Sequence, residues 1–178
     1  ALIGVMLRSR HMACMDVYTQ LRTRALDQVL RGVGFEPLGA AGAAGGLSSL
    51  SQEQLEKHVT GWTLQLRVLV VVAAAEKRLA AQLWPKGIDE TVLSNVLGRV
   101  LQLMVQQGKD IVESKRTPQK VFVLLDMNRN MAAVLPLLEG LLGRGQCAQY
   151  LGELASLHAA VSRAARNIFL DWEEGISR

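Results

Sequence analysis

The run TPQKVFVLLDMNRNMAAVLPLLEGLL, from Thr117 to Leu142, reads as a helix surrounded by other helices. Thr117 is suited to cap free backbone N–H groups, and Pro118 fits the first helical position, where its missing N–H costs nothing. Val121, Leu124, Leu125, Met131, Leu135, Leu138 and Leu142 recur at three- to four-residue spacing and line one face. Phe122, Val123, Met127, Val134, Leu137 and Leu141 widen that stripe beyond a single seam. A helix apolar over so much of its circumference is expected to be covered on several sides, as the central rod of a bundle. Pro136 inside it predicts a kink or a break near Ala132 to Leu135.

The flanks carry the same period. Upstream, Val92, Leu93, Val96, Leu97, Val100, Leu101, Met104, Val105, Ile111 and Val112 form a helix that follows a turn at Pro85 and Gly87, with Asp89 as its cap. Gly108 in that helix is a weak point or a place where a neighbour comes close. Before it, Ser51 and Gln54 have the spacing of a capping box, and no proline intervenes until Pro85. The helix they open can run to about Leu83, a rod of roughly 50 Å. Its inner face is Leu55, Val59, Trp62, Leu66, Leu69 and Ala73, extended by Leu79 and Leu83.

Downstream, Gly143 and Gly145 end the central rod. A last helix from about Gln146 points Tyr150, Leu151, Leu154, Leu157, Val161, Ala164, Ile168 and Trp172 inward. At the other end, Leu2 to Leu7 read as the tail of a helix whose beginning is missing, with the apolar run broken at Arg8 to His11. A second, from Met12, carries Met15, Tyr18, Leu21, Ala25, Val29 and Leu30 on its apolar face and stops at Gly32, Gly34 and Pro37. The expected architecture is all-α: an elongated bundle of long antiparallel helices in a single region, residues 1–178. Within it, residues 1–35 hold the N-terminal helices, residues 36–50 a flexible linker containing GAAGAAGG, and residues 51–178 four long helices.

Composition supports this reading. Aromatics are 4% of the 178 residues while Leu, Val and Ala abound, which favours helix over sheet. Twenty basic residues against 16 acidic ones leave +4, too small and dispersed an excess to announce nucleic acid. Two cysteines, Cys14 and Cys147, are too few for a disulfide framework and point to a reducing compartment. The most apolar run, Val68 to Ala75, is short of the roughly 20 residues a membrane span needs. The chain opens at Ala1 in mid-pattern, as a piece of something longer would.

Chemical motifs are sparse. Gly143 to Ala148 matches G-x-G-x-x-A, but that fingerprint needs a preceding strand, and a helix precedes it here. His11 and Cys14 lie one helical turn apart, yet His58, Cys147 and His158 supply no second close pair for a zinc site. Asp126, in the middle of the apolar rod, is expected to be buried or half-buried and paired with an arginine of a neighbouring helix. No nucleophile, base and orienter fall together, so no catalytic, cofactor or metal residue is assigned and an enzyme is not expected. Lys109, Lys115, Arg116 and Lys120 gather where two helices join. They complement a helix dipole, or form an accessory patch for an anionic partner such as an acidic protein surface or anionic lipid.

Four segments then occur in order: Cys14-x-x-Val17-Tyr18-x-x-x-Arg22-x-x-x-Leu26-Asp27-x-x-Leu30, Ala75-Glu76-Lys77-Arg78-Leu79, Pro118-Gln-Lys-Val-Phe-Val-Leu-Leu-Asp-Met127, and Phe169-x-Asp171-Trp172-Glu173-Glu174. Together they resemble the Exo-seventy subunit family of the exocyst, especially its plant-type branch, over nearly the whole chain outside the Gly/Ala linker. Trp172 stands where the family pattern has Phe. The resemblance implies a rod of stacked helical bundles without catalysis, in a complex that tethers secretory vesicles to the plasma membrane for exocytosis. It also implies other exocyst subunits and small GTPases as partners, no nucleic acid, and a cytoplasmic protein peripheral to plasma membrane or vesicles. The family's phosphoinositide-binding surface is expected to lie largely outside this chain. The alternative reading is the same helical domain serving as a protein-binding bait module in an immune receptor.

Overall fold

The computed structural model of the chain describes residues 2–32, 51–143 and 147–176. The linker predicted over 36–50 falls outside them. The described residues form five helices and no strand: α1 (Leu2–Gly32), α2 (Gln52–Leu83), α3 (Ile88–Glu113), α4 (Lys120–Leu142) and α5 (Ala148–Ile176). The all-α expectation holds. The last four pack as a ring in which α2 touches α3 and α4, and α5 closes it by touching both α3 and α4. The helix α1 lies against α3 and α2.

α2 begins as its sequence dictates. The Ser51 hydroxyl accepts from the Gln54 amide at 3.3 Å, and the Gln54 side chain accepts from the Ser51 amide at 2.9 Å, so two orphan donors are satisfied reciprocally. Leu55, Val59, Trp62, Leu66, Leu69 and Ala73 are all buried, as expected, whereas Leu83 is exposed. In α3 the predicted face from Val92 to Ile111 is buried and Val112 partly so. Its start differs slightly. Gly87 is the cap, at φ +91, where a side chain would be strained, and Asp89 sits in the first turn and accepts from the Gly87 amide at 2.8 Å.

Three further differences have physical causes. The N-terminal region is one helix of 31 residues, unbroken at Arg8 to His11. Those residues interrupt the apolar pattern, but arginine, serine and histidine are all compatible with helical backbone. Among the α1 side chains that the structure describes, from Met12 on, only Leu26 and Leu30 are deeply buried, so the inner face there runs along Tyr18, Arg22, Leu26 and Leu30 while Leu21 and Val29 are exposed. In α4 the helix continues through Pro136, which stands on the solvent side together with Ala132, where water can reach the carbonyl that loses its donor. α4 itself starts at Lys120, preceded by a tight turn in which the Lys120 amide donates to the Thr117 carbonyl at 3.0 Å.

α2 and α4 are each long and apolar enough to cross a bilayer by length and hydropathy alone. In this bundle one stripe of each packs against the neighbouring helices.

Candidate functional site

The cations predicted at the α3–α4 junction divide in two. Lys109, Lys115 and Arg116 are exposed. Lys120 is not on that surface: it is fully buried, and its ammonium donates to the carbonyls of Val112 at 2.8 Å and Ser114 at 2.6 Å. It therefore satisfies the open end of α3 from inside, a cation placed on the negative pole of the helix dipole. The period of α4 accounts for this, because Lys120 shares a face with Leu124, Met127 and Met131, all at 0% exposure.

Burial lowers the Lys120 pKa to about 8 from its ordinary 10.5, with Arg116 adding to the shift. The unfolded chain then binds more protons than the folded one between those values, so stability rises with pH across that window and is lowest below it. The rise is expected to be roughly 2–3 kcal/mol. Tyr18, whose pKa is raised by burial and by Glu76, acts in the opposite sense: above its ordinary value of 10.0 the folded chain keeps the phenol proton longer than the unfolded one, so that contribution falls as pH rises. Urea unfolding at intervals between pH 8 and 10 should show the increase, and Lys120→Met should abolish it. A flat profile in the parent chain would contradict the assignment.

The same junction faces the end of α5. Arg116, Thr117 and Pro118 line an open groove with Ile168, Asp171, Trp172 and Gly175. Trp172, expected inward, is about half exposed and stands edge-on to exposed Phe169, with ring centroids 6.3 Å apart. Two of the four quoted segments thus meet at one end of the bundle. The other two meet on α1 and α2, where Arg22 Nε donates to both carboxylate oxygens of Glu76 at 3.1 Å and Nη2 adds a third bond. Glu76 is buried and Arg22 partly exposed. Tyr18 lies alongside, its ring edge-on to Trp84 at 5.7 Å. Sequence reasoning misses this pairing, although Glu76 follows Leu69 and Ala73 on the buried stripe, where a carboxylate requires a cationic partner.

Elsewhere the residues that suggested chemistry stand apart. Asp126 is exposed, with no charged partner among the described residues, which corrects the expectation of a buried ion pair. It lines an open groove between α4 and α2, with Glu56, Thr60 and Thr63 of α2. The thiol of Cys147 is buried and its pKa pushed up by burial, which disfavours a nucleophilic thiolate. Cys14 is exposed, while the side chain of His11 is outside what the structure describes. His58 is half-buried and held toward its neutral form by desolvation. Among the described residues no three His, Cys, Asp or Glu side chains gather as a metal would need. Gly143 closes α4, its amide donating to the Glu139 carbonyl at 2.8 Å, so the G-x-G-x-x-A match starts at a helix end with a helix before it.

Comparison with known proteins adds the context that geometry lacks. Residues 61–178 match the family defined by the C-terminal part of the Exo70 exocyst complex subunit. Exocyst complex component EXO70A1 of Arabidopsis thaliana is 24% identical over 168 residues, covering 92% of this chain and 26% of that protein. Exocyst complex component EXO70I of Medicago truncatula is 24% identical over 172 residues, covering 92% of this chain and 23% of that protein. EXO70B1 of Arabidopsis thaliana is 22% identical over 170 residues, 93% of this chain and 26% of that protein. The chain spans about a quarter of the length of these curated relatives.

Proposed function

The chain belongs to the Exo70 family of exocyst subunits, and from that premise we propose that it is a non-catalytic segment of an exocyst subunit that acts in tethering secretory vesicles to the plasma membrane. The observation that carries this reading is the extent of the family match. It begins at Gly61, within α2, and takes in α3, α4 and α5, the helices that close the ring.

The character of the bundle supports a scaffold. Its polar interior groups hold helices to one another: Lys120 satisfies the end of α3, Arg22 binds Glu76 between α1 and α2, and the Trp62 indole N–H donates to the Met104 carbonyl at 3.0 Å between α2 and α3. The partners we propose are other exocyst subunits, with small GTPases as further ones, in a cytoplasmic complex peripheral to the membrane. Lys109, Lys115 and Arg116 are the residues here that would contribute an accessory contact to anionic lipid. At about 1 kcal/mol each they assist attachment without anchoring the chain.

Affinity purification of the tagged protein from its own cells is expected to recover the other exocyst subunits. Recovering none of them, while a related Exo70 protein tagged in parallel does recover them, would overturn the proposal.

A further inference from the structure

The outward side of α4 carries large apolar side chains in contact with solvent. Phe122 is 66% exposed, Leu125 52% and Leu137 55%, and the small side chains of Ala132 and Ala133 lie between them. Cover on several sides is what the sequence predicts, and α2 and α5 flank α4, but they leave one side open. An exposed apolar stripe along a helix marks a surface that another element covers.

The charges on the stripe indicate which element. Asp126 and Arg129 are both exposed and three residues apart on α4, Asp126 at the margin where α4 meets α2. Neither has a charged partner among the described residues. We propose that a second copy of this chain docks antiparallel on the outer face of α4, with Asp126 of each copy facing Arg129 of the other.

A twofold axis between these two positions makes the pairing self-complementary, as an isologous interface must be. In that register Phe122 falls on the small side chains Ala132 and Ala133 of the second copy, a large group against a depression. The basic turn with Lys115 and Arg116 at the start of α4 comes beside the end that carries exposed Glu139. A parallel pair in register would instead oppose Asp126 to Asp126 and Arg129 to Arg129, so the charges select the antiparallel sense. A contact made mainly by one helix pair belongs to the small interface class, below about 1,200 Å², and gives a dimer that forms with rising concentration. This inference is independent of exocyst assembly and is tested on the purified chain alone.

Sedimentation velocity across a concentration series, under reductant because Cys14 is exposed, should show a mass rising from 19.4 kDa toward twice that value. Asp126→Arg and Arg129→Asp, made singly, place like charges opposite each other twice and should each weaken association about tenfold or more. The double reversal should restore it. Circular dichroism should be unchanged in all three variants, since both positions face solvent. A monomer at every concentration overturns the proposal. So does association that is indifferent to the single reversals, or association lost on changing exposed Phe169 and Trp172 instead. A double reversal that fails to recover the dimer also overturns it.

Discussion

Replacing Trp62 with alanine is expected to lower stability by about 3–5 kcal/mol, a large share of what a domain of this size possesses. Trp62 is 1% exposed and is among the largest fully buried side chains. It projects from α2, its indole N–H bonds the Met104 carbonyl of α3, and its ring edge reaches the backbone of Gly108. Truncation leaves a void that neighbouring helices cannot fill without moving, because close-packed interiors relax only in part. Trp62→Phe keeps most of the ring but loses the hydrogen bond, so it should cost about 1–2 kcal/mol. Urea unfolding followed by circular dichroism reads both, since Trp84 and Trp172 would complicate fluorescence. An alanine variant as stable as the parent chain would mean that the α2–α3 seam does not depend on this side chain.

The helices are legible in the sequence because their apolar period is long and clean. Ser51 and Gln54, Pro85, Gly87 and Gly143 mark ends through backbone chemistry that tertiary packing does not override. The inner faces of α2 and α3 follow from spacing alone. The open side of α4 does not, because apolar residues occur almost all round it and no polar stripe tells which side is outward. Phe122, Leu125 and Asp126 therefore all read as interior.

Lys120 is the opposite case. Its charge and the neighbouring Lys115 and Arg116 suggest a surface, although its position four residues before Leu124 puts it on the buried face. Glu76 carries the same signal on α2. In both cases a charged residue in phase with a buried stripe indicates a partner within the fold. What that partner is depends on how helices meet, which no local pattern contains. The groove beside Trp172 likewise arises from contact between the α3–α4 turn and the end of α5.

Gly108→Val is expected to be as damaging as the loss of Trp62, for the opposite reason. In a helix interior glycine is weaker than alanine by about 1 kcal/mol, so a glycine here needs a compensating contact. A Cβ built on Gly108 would lie 2.3 Å from Leu157 Cδ2 of α5, and 3.2 Å from both Met127 Cε of α4 and Trp62 Cζ2 of α2. Three helices therefore converge on the bare backbone of α3. Leu157 Cδ2 is the end of a flexible side chain, but Leu157, Met127 and Trp62 are all buried, so displacement of one presses on the others. Alanine should gain propensity and lose more in overpacking, a net cost of about 1–2 kcal/mol. The two further methyl groups of valine should raise the loss to about 3 kcal/mol or more. A double-mutant cycle with Leu157→Ala separates crowding from any general weakness at this position. Leu157→Ala alone should cost about 2–5 kcal/mol by leaving a cavity. Combined with Gly108→Ala, the total should fall below the sum of the two single changes, because the added methyl group enters the space vacated by Leu157. Strict additivity would mean that these two positions do not share that space, and the close approach of α5 to α3 would then have to lie elsewhere.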